Sequence, residues 1–154
     1  MRIEYINPFV EAAFDILNEI LDTSVKRGQL YLKKLGESMK GIAVVIGVTG
    51  QVTGRIVFDM TEDTAIKITS KLNDEEFKDF HEMARSTIAE LANMITGRAV
   101  TKLEKEGLAF SFTPPTIITG TNLNIHEPTG EMEALIIPID SGLGIVEINI
   151  AFKE

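Results

Sequence analysis

The segment that most constrains the fold is Ile42–Val48, Ile-Ala-Val-Val-Ile-Gly-Val, an apolar run without a single charge. Such a run is expected of a central strand covered on both faces. Thr49-Gly50-Gln51 then turns the chain, and Val52–Met60 alternates. Val52, Gly54, Ile56, Phe58 and Met60 share one face; Thr53, Arg55, Val57 and Asp59 share the other. The short connection predicts a hairpin, and its apolar face obliges the rest of the chain to supply a covering layer.

Helical periodicity supplies that layer. Asn7 is read as an N-cap and Pro8 as the first helical residue, where its missing N–H does no harm. Phe9, Ala13, Leu17 and Ile20, with Val10, Phe14 and Leu21 beside them, form an apolar stripe ending near Leu21, and Glu11, Asp15, Asn18 and Glu19 fall away from it. Thr61 is read as the cap of a second helix carrying Ala65, Ile66, Ile68 and Leu72, with Glu62 and Asp63 suited to its positive end. Asn73, with Glu76 three residues on, is read as the cap of a long helical pattern running to Glu106, with Gly107 as its left-handed stop.

Further strands are expected at Gln29–Lys33, Leu108–Thr113, Thr116–Thr119, Glu133–Ile139 and over Val146–Phe152, with 122–130 mostly loop. Pro114-Pro115 interrupts the first pair of late strands, and Pro138 assigns its strand to a sheet edge or a bulge. Close strand pairs without a βαβ series predict an α+β fold, a mostly antiparallel sheet with helices packed on one face. The 154 residues are read as one domain, 1–154.

Composition narrows the function. With Lys+Arg 15 against Asp+Glu 23 the net charge is −8, which disfavours nucleic acid and anionic membranes as partners. Cys 0 and His 2 leave no thiol chemistry and little for a transition metal. The absence of cysteine and of a signal-like segment makes the cytoplasm the expected compartment. No apolar run reaches the roughly 18 residues of a membrane helix.

The long helix is the most informative segment. With Glu90 at zero and about 100° per residue, Phe77, Ala84, Ile88, Leu91, Ile95 and Ala99 gather near about 140°. Ser86, Glu90, Asn93 and Gly97 gather near about 330°, almost opposite. A solvated polar face would show the same spacing. Asn and Gly inside an exposed helix, however, together cost about 1–1.5 kcal/mol relative to Ala. Gly97 in particular would let another backbone approach.

Ser86-Thr-Ile-Ala-Glu90-Leu-Ala-Asn93-Met-Ile-Thr-Gly97 resembles the Ser/Asp-xxx-Glu-xx-Asn-xxx-Gly signature of the CheC/CheX/FliY phosphatases of bacterial chemotaxis, at all four positions. Ile46-Gly-Val-Thr-Gly50, Thr113-Pro-Pro-Thr116 with Gly120, and Ile137-Pro-Ile139 extend the likeness in order along most of the chain, toward the CheX branch. The resemblance implies a CheC/CheX-like fold, a homodimer, and hydrolysis of the aspartyl phosphate of a CheY-type response regulator. It implies that Asn93 orients the attacking water and that Glu90 pairs with the receiver's active-site lysine, with Ser86 and Gly97 as binding or shaping residues. It further implies no cofactor bound by this chain and Mg2+ on the receiver. The alternative is a non-catalytic receiver-binding or flagellar-switch-like module on the same fold.

CheC-type members carry a second copy of the signature on the first helix. Here that stretch is Asp15-xxx-Glu19-xx-Asp22, with Lys26 four further on; Asp stands where Asn belongs and Gly is missing. A carboxylate there would repel a phosphoryl group, so this copy is read as inactive. His81-Glu82 and His126 are isolated and are read as surface or capping groups. Gly47, Gly50 and Gly54 lack a following Gly-Lys-Ser/Thr and are read as turns and close packing. Glu104-Lys-Glu106 is read as a solvated helix end, and Asp59 and Asp63 as capping groups, not a metal pair.

Overall fold

The computed structural model describes residues 3–34, 39–126 and 133–153. The chain runs α1 (Ile3–Leu21), β1 (Lys26–Arg27), β2 (Tyr31–Lys34), β3 (Ile42–Gly50), β4 (Thr53–Met60), α2 (Glu62–Asn73), α3 (Glu82–Lys105), β5 (Phe110–Phe112), β6 (Thr116–Thr119), β7 (Glu133–Asp140) and β8 (Ile145–Lys153). The strands form one antiparallel sheet in the order β1-β7-β8-β4-β3-β5, with β2 also on β7 and β6 also on β3. The α+β class is as expected.

β3 and β4 pair as the hairpin, Ile42 opposite Met60 through to Val48 opposite Gly54. Ile42, Val44, Ile46 and Val48 of β3, Ile56, Phe58 and Met60 of β4, and Val146, Ile148, Ile150 and Phe152 of β8 join one core with the three helices. The opposite face holds a smaller cluster of Ala134, Ile136 and Ala151 and a buried polar strip. Asp59 stands across from Glu147. Its Oδ1 accepts the Lys40 N–H at 2.9 Å, and burial pushes its carboxyl pKa up. Lys40 Nζ lies 3.3 Å from Glu147 Oε1, and Tyr31 donates its hydroxyl to the same carboxylate.

Four expectations need correction. α1 begins at Ile3 and contains Pro8, so Asn7 is no N-cap. An internal proline costs about 3 kcal/mol. Burial of Tyr5 and Ile6 in the extra turn offsets it, with Tyr5 edge-on to Phe110 at 5.6 Å. Asn73 closes α2 instead of opening α3. Its amide points back to the Thr69 carbonyl and across to Thr87 Oγ1, and Asp74 takes the left-handed conformation, φ 49°. Ser70 Oγ then accepts the Phe77 N–H at 3.0 Å, so the chain folds back and α3 starts only at Glu82, after His81. Phe77 therefore lies off the helix, edge-on to His81.

The third correction concerns Pro138. Of the two expected placements its strand is not an edge, since β8 lies on one side and β1 and β2 on the other, but it does face a bulge: Arg27 opposes Ile139 and Tyr31 opposes Ile136, four steps of the outer ribbon against three of β7. The proline sits where the outer ribbon is interrupted, and its carbonyl accepts the Gly28 N–H at 2.8 Å. The missing N–H therefore meets a gap in the ladder. Fourth, β2 starts at Tyr31, later than the expected Gln29, and the ladder of β5 spans only Phe110–Phe112. On the far edge, Thr113 manages Pro114-Pro115 by exchanging two bonds with Gly47: its N–H donates to the Gly47 carbonyl, and its Oγ1 accepts the Gly47 N–H.

Thr61 caps α2 as expected, its oxygen accepting the Thr64 N–H at 3.1 Å. Gly107 ends α3 with φ 80°. The loop expected over 122–130 is irregular through His126; its remainder lies outside the described residues.

Gly54 is the backbone position with least tolerance. It holds φ 156°, and a Cβ there would sit 1.9 Å from the Ala151 carbonyl oxygen of the neighbouring strand. Gly54→Ala is expected to destabilise the fold by about 3 kcal/mol or more, since both strain and a backbone clash act at once. Urea unfolding followed by circular dichroism reads this directly; a loss below about 1 kcal/mol would contradict the close approach of β4 and β8.

Candidate functional site

The site is built on α3. Ala84, Ile88, Leu91, Ala92, Ile95, Ala99 and Leu103 are buried and hold the helix on the sheet and on α1. That packing turns the opposite side outward. Ser86 and Glu90 are exposed, and Asn93 and Gly97 are half-buried. All four signature residues thus occupy one ridge. Among the described residues, none forms a side-chain hydrogen bond or ion pair with Ser86, Glu90 or Asn93. A carboxylate and a carboxamide one turn apart are left open to an external partner. Together they offer a negative charge, two donors and a neutral acceptor.

Gly97 has no internal justification. A Cβ placed there would meet nothing within 4 Å apart from the helix's own backbone. Nor does the position need a positive φ. Its missing side chain keeps the ridge flat where another molecule would have to come close.

The corresponding stretch of α1 is put to a different use. Arg98, the residue after Gly97, turns toward α1 and grips Glu19 with both terminal nitrogens, at 2.9 and 3.1 Å. Lys102 lies 3.3 Å from Glu11 and 4.0 Å from Asp15. Hydrogen bonding and charge from Arg98 hold the Glu19 carboxyl below its ordinary pKa, and Glu19 raises that of Arg98. Asp22 lies beyond the end of α1 with φ 49°, and Lys26 belongs to β1. The copy on α1 therefore shares no continuous helical ridge, and two of its carboxylates already have cations. Sequence spacing shows the defective copy. It does not show this clamp, because its two halves are 79 residues apart.

The remaining candidates stay apart. Asp63 is an exposed partner of Lys67 within α2, whereas Asp59 is buried on the opposite face of the sheet. His81 precedes α3, and His126 lies in the late loop. Among the described residues, no group of three or more His, Asp or Glu is placed to hold a metal ion. Nor, among those residues, is any helix long and apolar enough to cross a membrane.

Known proteins share both sequence and fold. The family described as chemotaxis phosphatase CheX matches residues 42–140. The CheY-P phosphatase CheX of Thermotoga maritima is 29% identical over 126 residues, 81% of each chain. A chain in the crystal structure of the CheX–CheY–BeF3–Mg2+ complex from Borrelia burgdorferi is 40% identical, with a TM-score of 0.85 over 99% of this chain and 100% of that one. A CheC-like superfamily protein from Shewanella sp. PV-4 is 27% identical, with a TM-score of 0.88 over the whole of both chains.

The clamp has a pH signature. A carboxyl whose folded pKa is depressed stabilises the fold above its unfolded pKa and loses that contribution as pH falls through the folded value. Glu19→Ala is therefore expected to lower the melting temperature slightly at neutral pH and to have no effect in acid, below the depressed pKa of Glu19. Thermal scans of both proteins across that range check it. A deficit that persists in acid would assign the effect to packing instead.

Proposed function

The chain belongs to the CheX family of chemotaxis phosphatases and is a homologue of a CheY-P phosphatase; on that premise we propose that it hydrolyses the aspartyl phosphate of a CheY-type receiver, with Asn93 and Glu90 of α3 acting at the bond that breaks. The observation that carries this is the open ridge: Glu90 and Asn93 stand exposed and half-buried without partners among the described residues, beside a glycine that nothing among those residues requires.

The chemistry suits those groups. A water oxygen attacks phosphorus, the bond from phosphorus to the aspartyl oxygen breaks, and the products are a free carboxylate and inorganic phosphate, which keeps the water's protons. An acyl phosphate is already reactive, so holding water in line supplies much of the acceleration. The Asn93 carboxamide oxygen accepts a hydrogen bond from that water and orients it without removing a proton. Glu90 pairs with the receiver's active-site lysine and fixes the helix over the phosphoryl group. Mg2+ belongs to the receiver as part of the substrate. Ser86 and Gly97 shape the approach. The α1 copy takes no part: Arg98 and Lys102 occupy two of its carboxylates, Glu19 and Asp15, and Asp22 stands where Asn belongs.

Asn93→Ala and Glu90→Ala are expected to fail differently. Both residues lie outside the core, and Ala is the better helix former, so both variants should fold. Loss of one positioned polar group lowers turnover by about 10²–10³, and Asn93→Ala should do so with a smaller effect on binding. Glu90→Ala strands a lysine in the interface and should weaken binding and turnover together. Decay of phosphorylated receiver gives the rate, and affinity for the Mg2+–BeF3 receiver gives the binding. Glu19→Ala should leave turnover within about twofold. If folded Asn93→Ala retains full turnover, the non-catalytic receiver-binding reading replaces the enzymatic one.

The homodimer is part of the same proposal. Beside the resemblance, its support is the outer strand β2, where Tyr31 and Leu32 are exposed, as is Leu30 just before it. An apolar edge of this kind is a surface for sheet continuation. Light scattering at micromolar concentration should show twice the chain mass, and a monomer would refute it.

A further inference from the structure

The four signature residues do not exhaust the α3 ridge. Met83 is 51% exposed and Met94 39%, the two large apolar side chains of α3 that face solvent. Taken from Glu90 at about 100° per residue, they fall at about 20° and about 40°. Met83 therefore lies two turns before Glu90, and Met94 one turn after it, along the same side of the ridge. Neither belongs to the core, whose α3 contribution lies on the opposite face.

Exposed methionine at both ends of a polar site has a physical use. The thioether is unbranched and adaptable, and fits irregular apolar surfaces on a partner. Apolar contacts around a charged centre exclude water from it, and a charge pair shielded from water is stronger than one in solvent. Among the described residues no cation pairs with Glu90, so its pairing depends on what surrounds it once a partner docks.

We propose that Met83 and Met94 are the apolar anchors that seat the phosphorylated receiver on α3, positioning it over Glu90 and Asn93. This rests on the reading of the ridge as the receiver-docking surface. The occupant is a CheY-type receiver with an apolar margin beside its active-site lysine. The argument for it is continuity: the methionines, the unpaired carboxylate, the open carboxamide and the unexplained glycine lie along one helix face.

The test separates anchoring from chemistry. The double variant Met83→Ala/Met94→Ala should fold, since both side chains are exposed. With a CheY-type receiver of the same genome, phosphorylated by acetyl phosphate, its KM should rise about tenfold, while kcat at saturation stays within about twofold. Its affinity for the Mg2+–BeF3 form of that receiver should fall by a similar factor. Met83→Leu/Met94→Leu, apolar and of similar size, should restore most of it. Unchanged KM and affinity in the Ala variant would overturn the proposal, as would a loss confined to kcat. A changed oligomeric state with unaltered receiver affinity would assign the methionines to a second copy of this chain and also overturn it. The binding measurement decides the methionines whatever Asn93→Ala does to turnover, so the two readings fail separately.

Discussion

The burial of one face of α3 is the constraint on which everything else depends. Ile88, Leu91, Ile95, Ala99 and Leu103 leave water together against the sheet and α1. An α-helix returns to the same side about every 3.6 residues, so fixing those residues inward fixes Ser86, Glu90, Asn93 and Gly97 outward. No loop has to be ordered to assemble the site. Its relative geometry is that of a helix backbone, and its orientation is that of a core. A rigid helix is a good support for residues proposed to enter a receiver's active site with little freedom.

The two helices that resemble each other in spacing have been driven apart in role. On α3, Glu90 has no partner among the described residues. On α1, Glu19 is gripped by Arg98, and Glu11 and Asp15 lie beside Lys102. The same two basic residues that close the α1 copy tie α1 to the helix that carries the open one. Exposed ion pairs contribute little to stability on average, so the greater consequence of this clamp is electrostatic. It neutralises carboxylates that would otherwise place negative charge next to the ridge.

Several elements were legible because their causes are local. The β3–β4 hairpin follows from alternation and a short turn, the start of α2 from Thr61, and the end of α3 from Gly107. Where expectations missed, a distant contact overrode a local signal. Pro8 looks like a helix start until Tyr5 and Ile6 find a core to enter. Asn73 looks like a cap until its amide turns back to Thr69 and across to Thr87. Pro138 looks like an edge until β1 and β2 arrive along the side of its strand opposite β8.

By itself the sequence determined the class of the fold, the polar and apolar faces of α3, and the four residues on its outward side, since all of these are set by spacing along one segment. Only the tertiary structure decided which of the two similar helices remains open, because pairing Arg98 with Glu19 joins residues whose separation along the chain carries no periodic signal. It likewise decided that Gly97 faces open space. Whether a Cβ would meet a neighbour depends on every element packed around it, and no local pattern encodes that.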